Sequence, residues 1–527
     1  MPETTSDPQD RTSRSTIPSL LLRGDGGSCA IRTPEHDGLT YAGLRELCGQ
    51  LATFLHERGI GPGDRVAILL PNGPEMASAF LAIASVATAA PLNPAYGSAE
   101  LQFTLQDLDV RALILKRGEA ETARAVAEAL GVRIIELDAD PATPGRFTLA
   151  AEAWPPLSPD EHAPAPRPVG PRDIALVLHT SGTTARPKIV PLSHANLTAS
   201  AQAIAGSLAL TPDDLCLNVM PLFHIHGLVA AVLASLSAGG AVACTGGLNG
   251  FRFFGWLEQC RPSWYTAVPT AHQTILEIAP RYRAIIEASR LRLIRSSSAS
   301  LPAPIMTALE EMFGVPVIEA YGMTEASHQM ACNPLPPRLR HPGSVGVAAG
   351  PQIAIMDEAG TLLEADQVGE IVIRGPGVMA AYENNPEANA RSFTAGWFRT
   401  GDQGVLDQAG YLRLTGRLKE IINRGGEKLS PLELESVLLL HPEVREAVAF
   451  AMPSRLYGEE PAAAVVLTQG ASATAETLRR FVAGHVAAFK VPRAVLVLEA
   501  LPKGATGKLQ RIGMAERLGL AEEAIAS

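Results

Sequence analysis

The chain contains 527 residues, of which 46% are apolar and 19% are charged, and its formal net charge is −10. At roughly 100–200 residues per domain this length predicts about two to four structural units, and the composition is that of a folded globular protein. The negative charge disfavours a nucleic-acid-binding function, which usually requires a basic face. The six cysteines have no metal-ligand spacing, which predicts reduced thiols in an intracellular protein.

The sequence predicts neither a targeting segment nor a membrane span. The N-terminus is polar and lacks the apolar core of a signal peptide. The longest apolar stretch, residues 227–244, contains the pair Gly239-Gly240 and therefore predicts a buried helix, a turn and a strand. We expect a soluble cytoplasmic protein with no membrane or nucleic-acid partner.

Short β-type runs alternate with helical patterns over about the first four hundred residues. The predicted strands are residues 65–70, 175–180, 263–268, 291–296 and 315–320, and the predicted helices include residues 41–58 and 304–313. This alternation indicates an α/β fold with a largely parallel sheet. Such sheets bind ligands beyond the carboxyl ends of their strands, where three of these runs continue into Gly/Ser/Thr-rich segments.

The pattern changes further along the chain. Residues 155–171 contain seven prolines and predict an extended surface connection. From residue 352 short strands and turns follow, including a hairpin that turns through residues 407–410. A compact mixed tail of roughly 110 residues comes after Arg417.

The first candidate motif, residues 178–188, follows a strand and has the composition of a phosphate-binding loop. Glycine lets backbone amides approach an anion closely, and hydroxyls and lysine add donors and charge. A Walker A loop is disfavoured, because Pro187 replaces its second glycine and Ile189 replaces its Ser/Thr. The segment supplies a glycine, four hydroxyl side chains and a lysine: Thr180, Ser181, Gly182, Thr183, Thr184 and Lys188.

Three further motifs bring polar and charged groups into predicted turns. Residues 319–330 carry a tyrosine, a glycine, a threonine and a carboxylate suited to Mg²⁺. Residues 396–431 place Asp402 in a Thr-Gly-Asp turn, where it could accept both hydroxyls of a ribose, with Arg417, Lys419 and Lys428 following. Residues 501–511 place Lys508 in a glycine-flanked loop.

In this order and spacing the four motifs resemble the adenylate-forming superfamily of acyl-CoA synthetases, adenylation domains and luciferases. The resemblance covers residues 40–511. It implies a large N-terminal domain, residues 1–417, with stacked α/β sheets and a small β-barrel-like part. It also implies a small mobile α+β C-terminal domain, residues 418–527, that carries the catalytic lysine.

The resemblance implies ATP, Mg²⁺ and coenzyme A as cofactors and a role for each motif. A carboxylate attacks the α-phosphate of ATP, pyrophosphate leaves, and the acyl-adenylate then passes to a thiol. The 180–188 loop would hold the β- and γ-phosphates, Glu325 would bind Mg²⁺, and Lys508 would bridge the carboxylate and the α-phosphate. The other implied nucleotide-binding residues are Ser298, Ala299, Ser300, Glu319, Ala320, Tyr321, Gly322, Thr324, Asp402, Arg417 and Lys428.

The second half-reaction, as implied by the same resemblance, needs the tail to rotate about a hinge at Lys419. Gly426 and Glu427 would then line the pantetheine tunnel. Rotation removes Lys508 from the site, which suits a charge needed in one step only.

The segment 221–228 matches the border of the family's acyl pocket. His224 stands at the usual family histidine, while His226 and His328 are additional imidazoles, and Ser298 completes the predicted substrate set. Burying unpaired polar donors costs about 1–3 kcal/mol each, so they suit a second carboxylate better than an alkyl chain.

Residues 264–276, 294–301, 321–336 and 422–431 resemble oxalate–CoA ligases, which predicts that oxalate is activated to oxalyl-CoA. A 4-coumarate-like or medium-chain acid–CoA ligase remains an alternative. So does a stand-alone adenylation module that loads a carrier protein, although the chain ends soon after Arg511 without a carrier domain. An ATP-binding regulator is disfavoured by Lys508 and Glu325. The enzyme is expected to be a monomer or homodimer.

Overall fold

The computed structural model describes residues 15–157, 167–180, 187–502 and 510–520. Within these ranges the first sixteen strands build two large sheets. In chain order they are β1 (Cys29–Arg32), β2 (Leu39–Thr40), β3 (Arg65–Leu69), β4 (Thr88–Pro91), β5 (Ala112–Lys116), β6 (Arg133–Ala139), β7 (Phe147–Ala150), β8 (Ile174–Thr180), β9 (Lys188–Ser193), β10 (Leu215–Asn218), β11 (Ala241–Cys244), β12 (Trp264–Ala267), β13 (Leu293–Ser296), β14 (Val317–Met323), β15 (His328–Cys332) and β16 (Val347–Ala348).

Both large sheets are parallel in the middle and antiparallel at their edges, as the alternation of strands and helices predicts. The nine-stranded sheet has the order β16-β15-β14-β13-β12-β10-β11-β1-β2, and its strands from β14 to β1 run parallel. The seven-stranded sheet has the order β7-β6-β5-β3-β4-β8-β9, with antiparallel β7 and β9 outside five parallel strands.

The helices cover the faces of these sheets and those of the C-terminal part. In chain order they are α1 (Ile17–Leu20), α2 (Tyr41–His56), α3 (Pro74–Ala84), α4 (Ser98–Asp107), α5 (Glu121–Leu130), α6 (His194–Ser207), α7 (Ala234–Ser237), α8 (Gly250–Cys260), α9 (Pro269–Ile278), α10 (Arg283–Glu287), α11 (Ala303–Phe313), α12 (Pro386–Ser392), α13 (Pro431–Leu438), α14 (Ala475–Ala483) and α15 (Met514–Arg517).

Local sequence explains where these helices begin. Helix α2 starts after Thr40, whose side chain accepts from the amide of Gly43 and satisfies one of the amides left open at a helix N-terminus. Its buried residues recur at three- and four-residue spacing, from Tyr41 to Leu55, as an amphipathic helix requires. Helices α2 and α11 thus confirm the predicted helices.

The apolar stretch 227–244 folds as the sequence predicts, with one unexpected feature. His226–Leu233 forms a π-helix that continues into α7, a turn through Gly239, and β11. All eight residues of the π-helix are buried. π-Helical turns are rare and are frequently found at functional sites. Within the described ranges, no helix is both long and apolar enough to cross a bilayer.

The small β part is a five-stranded antiparallel sheet formed by β17 (Gln352–Met356), β18 (Val368–Arg374), β19 (Phe393–Thr394), β20 (Trp397–Leu406) and β21 (Leu412–Arg417). Strands β20 and β21 form the predicted hairpin, where the Gly410 amide donates to the Asp407 carbonyl. The tail contributes a separate five-stranded sheet of β22 (Ile422–Arg424), β23 (Glu427–Leu429), β24 (Val444–Ser454), β25 (Gly458–Leu467) and β26 (Ala494–Val497).

Two sequence interpretations need correction. The Thr-Gly-Asp segment is not a turn between strands, because residues 400–402 lie inside β20. They form a bulge opposite β18, where Gly401 adopts a φ of +74° and its amide donates to the Glu370 carboxylate. Likewise, Tyr321 and Gly322 lie within β14 rather than in a loop, because antiparallel β15 pairs with them.

Candidate active site

The predicted phosphate-binding segment connects two paired strands. Thr180 is the last residue of β8, and it lies opposite Lys188, the first residue of β9. The two ends of the segment therefore lie side by side, so that its lysine sits in a strand beside its first threonine. Four predicted residues, Ser181, Gly182, Thr183 and Thr184, lie outside the described residues.

Lys188, Glu325 and Tyr382 form a compact cluster. The Tyr382 hydroxyl donates to Glu325 Oε1 at 2.7 Å, and Lys188 Nζ lies 4.3 Å from the centre of the same ring. Burial lowers the pKa of Lys188 and raises the pKa of Glu325. Sequence reasoning missed Tyr382, because its segment, residues 378–383, carries no phosphate-binding pattern.

Asp402, Tyr321 and Arg417 form a second cluster, so the structure brings three predicted nucleotide residues together. Arg417 Nε donates to Asp402 Oδ1 at 2.7 Å, and the Tyr321 hydroxyl donates to Oδ2 at 2.5 Å. The Asp402 carboxylate raises the pKa of Arg417, and burial raises the pKa of Tyr321. Both carboxylate oxygens already accept a protein donor, and each keeps capacity for a further one.

Gly322 has a steric role in the β14–β15 hairpin. A Cβ atom at this position would lie 1.5 Å from the carbonyl oxygen of His328. Only glycine allows the two strands to approach so closely. The half-buried Thr324 begins the short 3₁₀ turn Thr324–Ala326 that follows, and Glu325 is its second residue.

The two segments predicted to line the adenine slot contact each other. The Ser297 hydroxyl donates to the Ala320 carbonyl at 2.9 Å, and the Leu301 amide donates to Glu319 Oε1 at 2.8 Å. Ser298, Ala299 and Ser300 follow β13 at its carboxyl end, where Ala299 and Ser300 are exposed. The Glu319 side chain is buried. Burial raises the pKa of Glu319 to about 7.

Ser298 and His226 meet at the predicted acyl pocket. His226 Nδ1 lies 3.0 Å from Ser298 Oγ, and its Nε2 lies 2.6 Å from Thr266 Oγ1. His226 is 2% exposed, so it lies behind the half-buried Ser298. The His328 ring packs 5.0 Å from the His226 ring, while His224 is half-buried and packs against Phe223. Ser298 has a φ of +74°, an uncommon conformation for serine that is often found at functional sites.

Arg295 on β13 extends this polar group into the core, and sequence reasoning missed it. Its side chain is fully buried, and its Nη2 donates to Gln329 Oε1 at 3.1 Å. Its Nη1 lies 3.4 Å from both Thr266 Oγ1 and His328 Nε2. A basic residue inside an apolar run predicted to be a buried strand is the signal that could have revealed it.

The predicted residues of the tail lie on two elements. Lys419 is exposed on the 3₁₀ turn Leu418–Glu420, near enough to Lys188 to lower its pKa further. Gly426 and Glu427 lie at the turn between β22 and β23. The structure does not bring Lys428 into either nucleotide cluster, since its Nζ lies 3.7 Å from Glu358 on an exposed surface. Lys508 lies outside the described residues.

Comparison with known families decides the class. The family model of AMP-binding enzymes matches residues 24–383, and the model of their C-terminal domain matches residues 433–508. The chain belongs to the AMP-binding enzymes. Within them it is an AMP-forming acid–CoA ligase, and this group uses ATP, Mg²⁺ and coenzyme A.

Several AMP-binding enzymes are similar over most of the chain. An oxalate–CoA ligase of Arabidopsis thaliana is 45% identical and covers 90% of this chain and 92% of its own. An oxalate–CoA ligase of Saccharomyces cerevisiae is 40% identical, with coverage of 92% and 94%. The crystal structure of ATP-bound MatB from Rhodopseudomonas palustris superposes with a TM-score of 0.85 at 30% identity, covering 95% and 98% of the two chains.

The cluster around Glu325 fits the Mg²⁺ that such enzymes use. Glu325 is a buried carboxylate with one oxygen held by Tyr382, and Lys188 lies beside it. Mg²⁺ in nucleotide sites is typically held by one or two carboxylates together with phosphate oxygens and water. One preorganised carboxylate next to a predicted phosphate loop meets this requirement.

Proposed function

We propose that this AMP-binding enzyme converts oxalate to oxalyl-CoA, with release of AMP and pyrophosphate. One observation carries the choice of acid: Ser298, at the acyl pocket, is backed by His226, Thr266 and the fully buried Arg295. An apolar ligand against Ser298 would leave the Ser298 hydroxyl without an acceptor, so this group of hydrogen-bonding residues disfavours an alkyl or aromatic chain.

The relatives support the same acid. Two of those with 40–45% identity are oxalate–CoA ligases, whereas a 4-coumarate–CoA ligase of Oryza sativa is 32% identical. A sulfoacetate–CoA ligase of Cupriavidus necator is 36% identical, and its acid is also a short dianion. The pocket is thus proposed to select a small acid with a second negative group.

The proposed reaction has two steps. An oxalate oxygen bonds to the α-phosphorus of ATP, and the bond to pyrophosphate breaks. The CoA sulfur then loses its proton, bonds to the acyl carbon and displaces AMP. For the first step we assign Lys508 to the transferring phosphoryl group, where a point cation stabilises the spread negative charge.

The other nucleotide contacts are proposed from the two clusters. Residues 180–188 would hold the β- and γ-phosphates, and Thr324 the α-phosphate. Glu325 would hold Mg²⁺, which neutralises phosphate charge when bound. Asp402 and Arg417 would bind the ribose hydroxyls, since the Asp402 oxygens keep acceptor capacity beyond their bonds to Arg417 and Tyr321.

The division of the chain into two domains, with a role for each, is also a proposal. We divide the chain into residues 1–417 and 418–527, because the sheet from β22 to β26 uses only residues after Arg417. Lys419 would be the hinge, and Gly426 and Glu427 would line the pantetheine tunnel.

We propose a monomer or homodimer that works in the cytoplasm; its six free cysteines, five of them buried, suit a reducing compartment.

An acid screen tests the proposal. Purified enzyme with ATP, Mg²⁺ and CoA should release AMP with oxalate much faster than with hexanoate, 4-coumarate or acetate, and oxalyl-CoA should form. Comparable rates with the monocarboxylates would refute oxalate as the substrate. Thioester formation without a second protein would exclude the carrier-loading alternative, and a requirement for a carrier protein would favour it.

A further inference from the structure

Arg295 is a buried cation without an anionic partner among the described residues. It lies on β13 in the middle of the nine-stranded sheet, and its side chain is 0% exposed. Its hydrogen-bond partners are Thr266, His328 and Gln329, and its Nε has no partner there. Burial lowers its pKa to about 10, which leaves it charged at neutral pH. Buried charges are normally paired, because an unpaired one costs several kcal/mol.

The Gln329 amide is oriented by its other contacts. Its Nε2 donates to the Ala349 carbonyl at 3.1 Å and to Ser207 Oγ at 3.2 Å. Since a carbonyl oxygen only accepts, the Gln329 nitrogen must face Ala349 and its oxygen must face Arg295. Arg295 is therefore held by a fixed acceptor and not by a carboxylate that would cancel its charge.

The charge of Arg295 gives the hydrogen-bond chain to the pocket a direction. A guanidinium only donates, so Thr266 Oγ1 accepts from Arg295, and this bond polarises the Thr266 hydroxyl and favours its donation to His226 Nε2 at 2.6 Å. His226 then carries its proton on Nδ1 and donates to Ser298 Oγ at 3.0 Å. The Ser298 hydroxyl proton remains for an acceptor in the pocket. The reverse direction would present lone pairs there and repel an anion.

We propose that Arg295 is a positioning residue that selects the dianionic acid by directing the Thr266–His226–Ser298 chain, so that Ser298 donates to the carboxylate that does not react. This inference rests on the proposed activation of oxalate. Aligned hydrogen bonds polarise one another, and donors to charged groups are the strong ones. A monoanion of similar size such as glycolate offers Ser298 only a neutral hydroxyl, which accepts a weaker hydrogen bond than a carboxylate does.

The test compares Arg295→Met with Arg295→Lys on oxalate and on glycolate, a monoanion of similar size. Arg295→Met should raise the KM for oxalate by about tenfold or more, the effect of one charge-assisted hydrogen bond. The KM for ATP, and kcat/KM for glycolate, should change by less than about threefold, a factor worth only about 0.7 kcal/mol. Arg295→Lys keeps the charge, so its KM for oxalate should lie between those of wild type and Arg295→Met.

A double-mutant cycle distinguishes positioning from a structural role. If Arg295 acts through Ser298, Arg295→Met should raise the KM for oxalate little further in a Ser298→Ala background. Additive effects, or equal losses for oxalate and glycolate, would overturn the inference. The wild-type enzyme is assayed with oxalate before any variant is made. Failure to turn over oxalate at this stage would refute the proposed function itself.

Discussion

Tyr382 holds Glu325 in place: its hydroxyl donates to the Glu325 carboxylate at 2.7 Å, although the two residues are 57 positions apart. The carboxylate proposed to bind Mg²⁺ is therefore oriented before any nucleotide arrives. Preorganised charge of this kind is where enzymes gain much of their rate enhancement.

Tyr382→Phe should weaken adenylation without abolishing it. The variant leaves one oxygen of a buried carboxylate without its donor, which costs about 1–3 kcal/mol. We expect acid-dependent ATP–pyrophosphate exchange to fall about tenfold in kcat/KM for Mg·ATP, equivalent to ~1.4 kcal/mol. Tyr411→Phe is the control, because that hydroxyl donates to the Leu339 carbonyl at the surface. Equal exchange rates for both variants would contradict the assignment.

Asp402→Asn should impair nucleotide binding more than catalysis. The change removes the charge that faces Arg417 and one acceptor proposed for the ribose. A charge-assisted hydrogen bond is worth about 1.5–3 kcal/mol, so the KM for ATP should rise at least about tenfold. Asp407→Asn is the matched control, since Asp407 lies in the hairpin turn between β20 and β21, where its side chain accepts from the backbone amides of Ala409 and Tyr411. A similar KM in the two variants would argue against a ribose role.

Glu319→Gln should change how stability depends on pH. Burial raises the pKa of Glu319 to about 7, whereas an unfolded glutamate titrates near roughly 4.3. Between these values the unfolded chain loses a proton that the folded protein keeps, so stability falls as pH rises and the full loss is present above pH ~7.

Urea denaturation at pH ~5 and pH ~8 measures this effect. The free energy of unfolding of Glu319→Gln should rise relative to wild type by ~2.5 kcal/mol between pH ~5 and pH ~8. Glu311→Gln, on the exposed face of α11, should follow wild type at both values. A Glu319→Gln curve parallel to wild type would mean that Glu319 is ionised in the folded protein.

Lys508→Arg should fail in adenylation even though it keeps the positive charge. A guanidinium is planar and broad, so it does not replace a compact ammonium between two oxygens. We expect pyrophosphate exchange to fall by at least about a hundredfold, ~2.7 kcal/mol. Lys116→Arg should be silent, because Lys116 is half-buried at the surface and pairs with Glu119 at 2.6 Å. Substantial exchange by Lys508→Arg would remove Lys508 from the proposed catalytic role.

The fold was largely predictable because local signals agree with it. The apolar runs that end at Thr180 and Ser296 are strands, and the polar residues after each run begin where the strand ends. The hairpin through residues 407–410 was also predictable, because its Asp and Gly favour a turn.

The site was only partly predictable, because the residues that were missed act through contacts with residues distant in sequence. Nothing near Tyr382 in sequence indicates that it reaches Glu325. The bulge at residues 400–402 depends on Glu370, a residue of the neighbouring strand. Arg295 was missed because the charge of a buried residue acquires meaning only from the groups packed around it.

The π-helix His226–Leu233 makes the position of His226, at the proposed acyl pocket, sensitive to the number of residues in this helix. Its hydrogen bonds span five residues, whereas those of an α-helix span four and each residue turns the helix by about 100°. Deleting one residue, such as Ala230, would restore α-helical bonding and rotate His226 away from Thr266 and Ser298 without altering any pocket side chain. A single-codon deletion is therefore a route by which a homologue could change its acid while every aligned pocket residue stays the same.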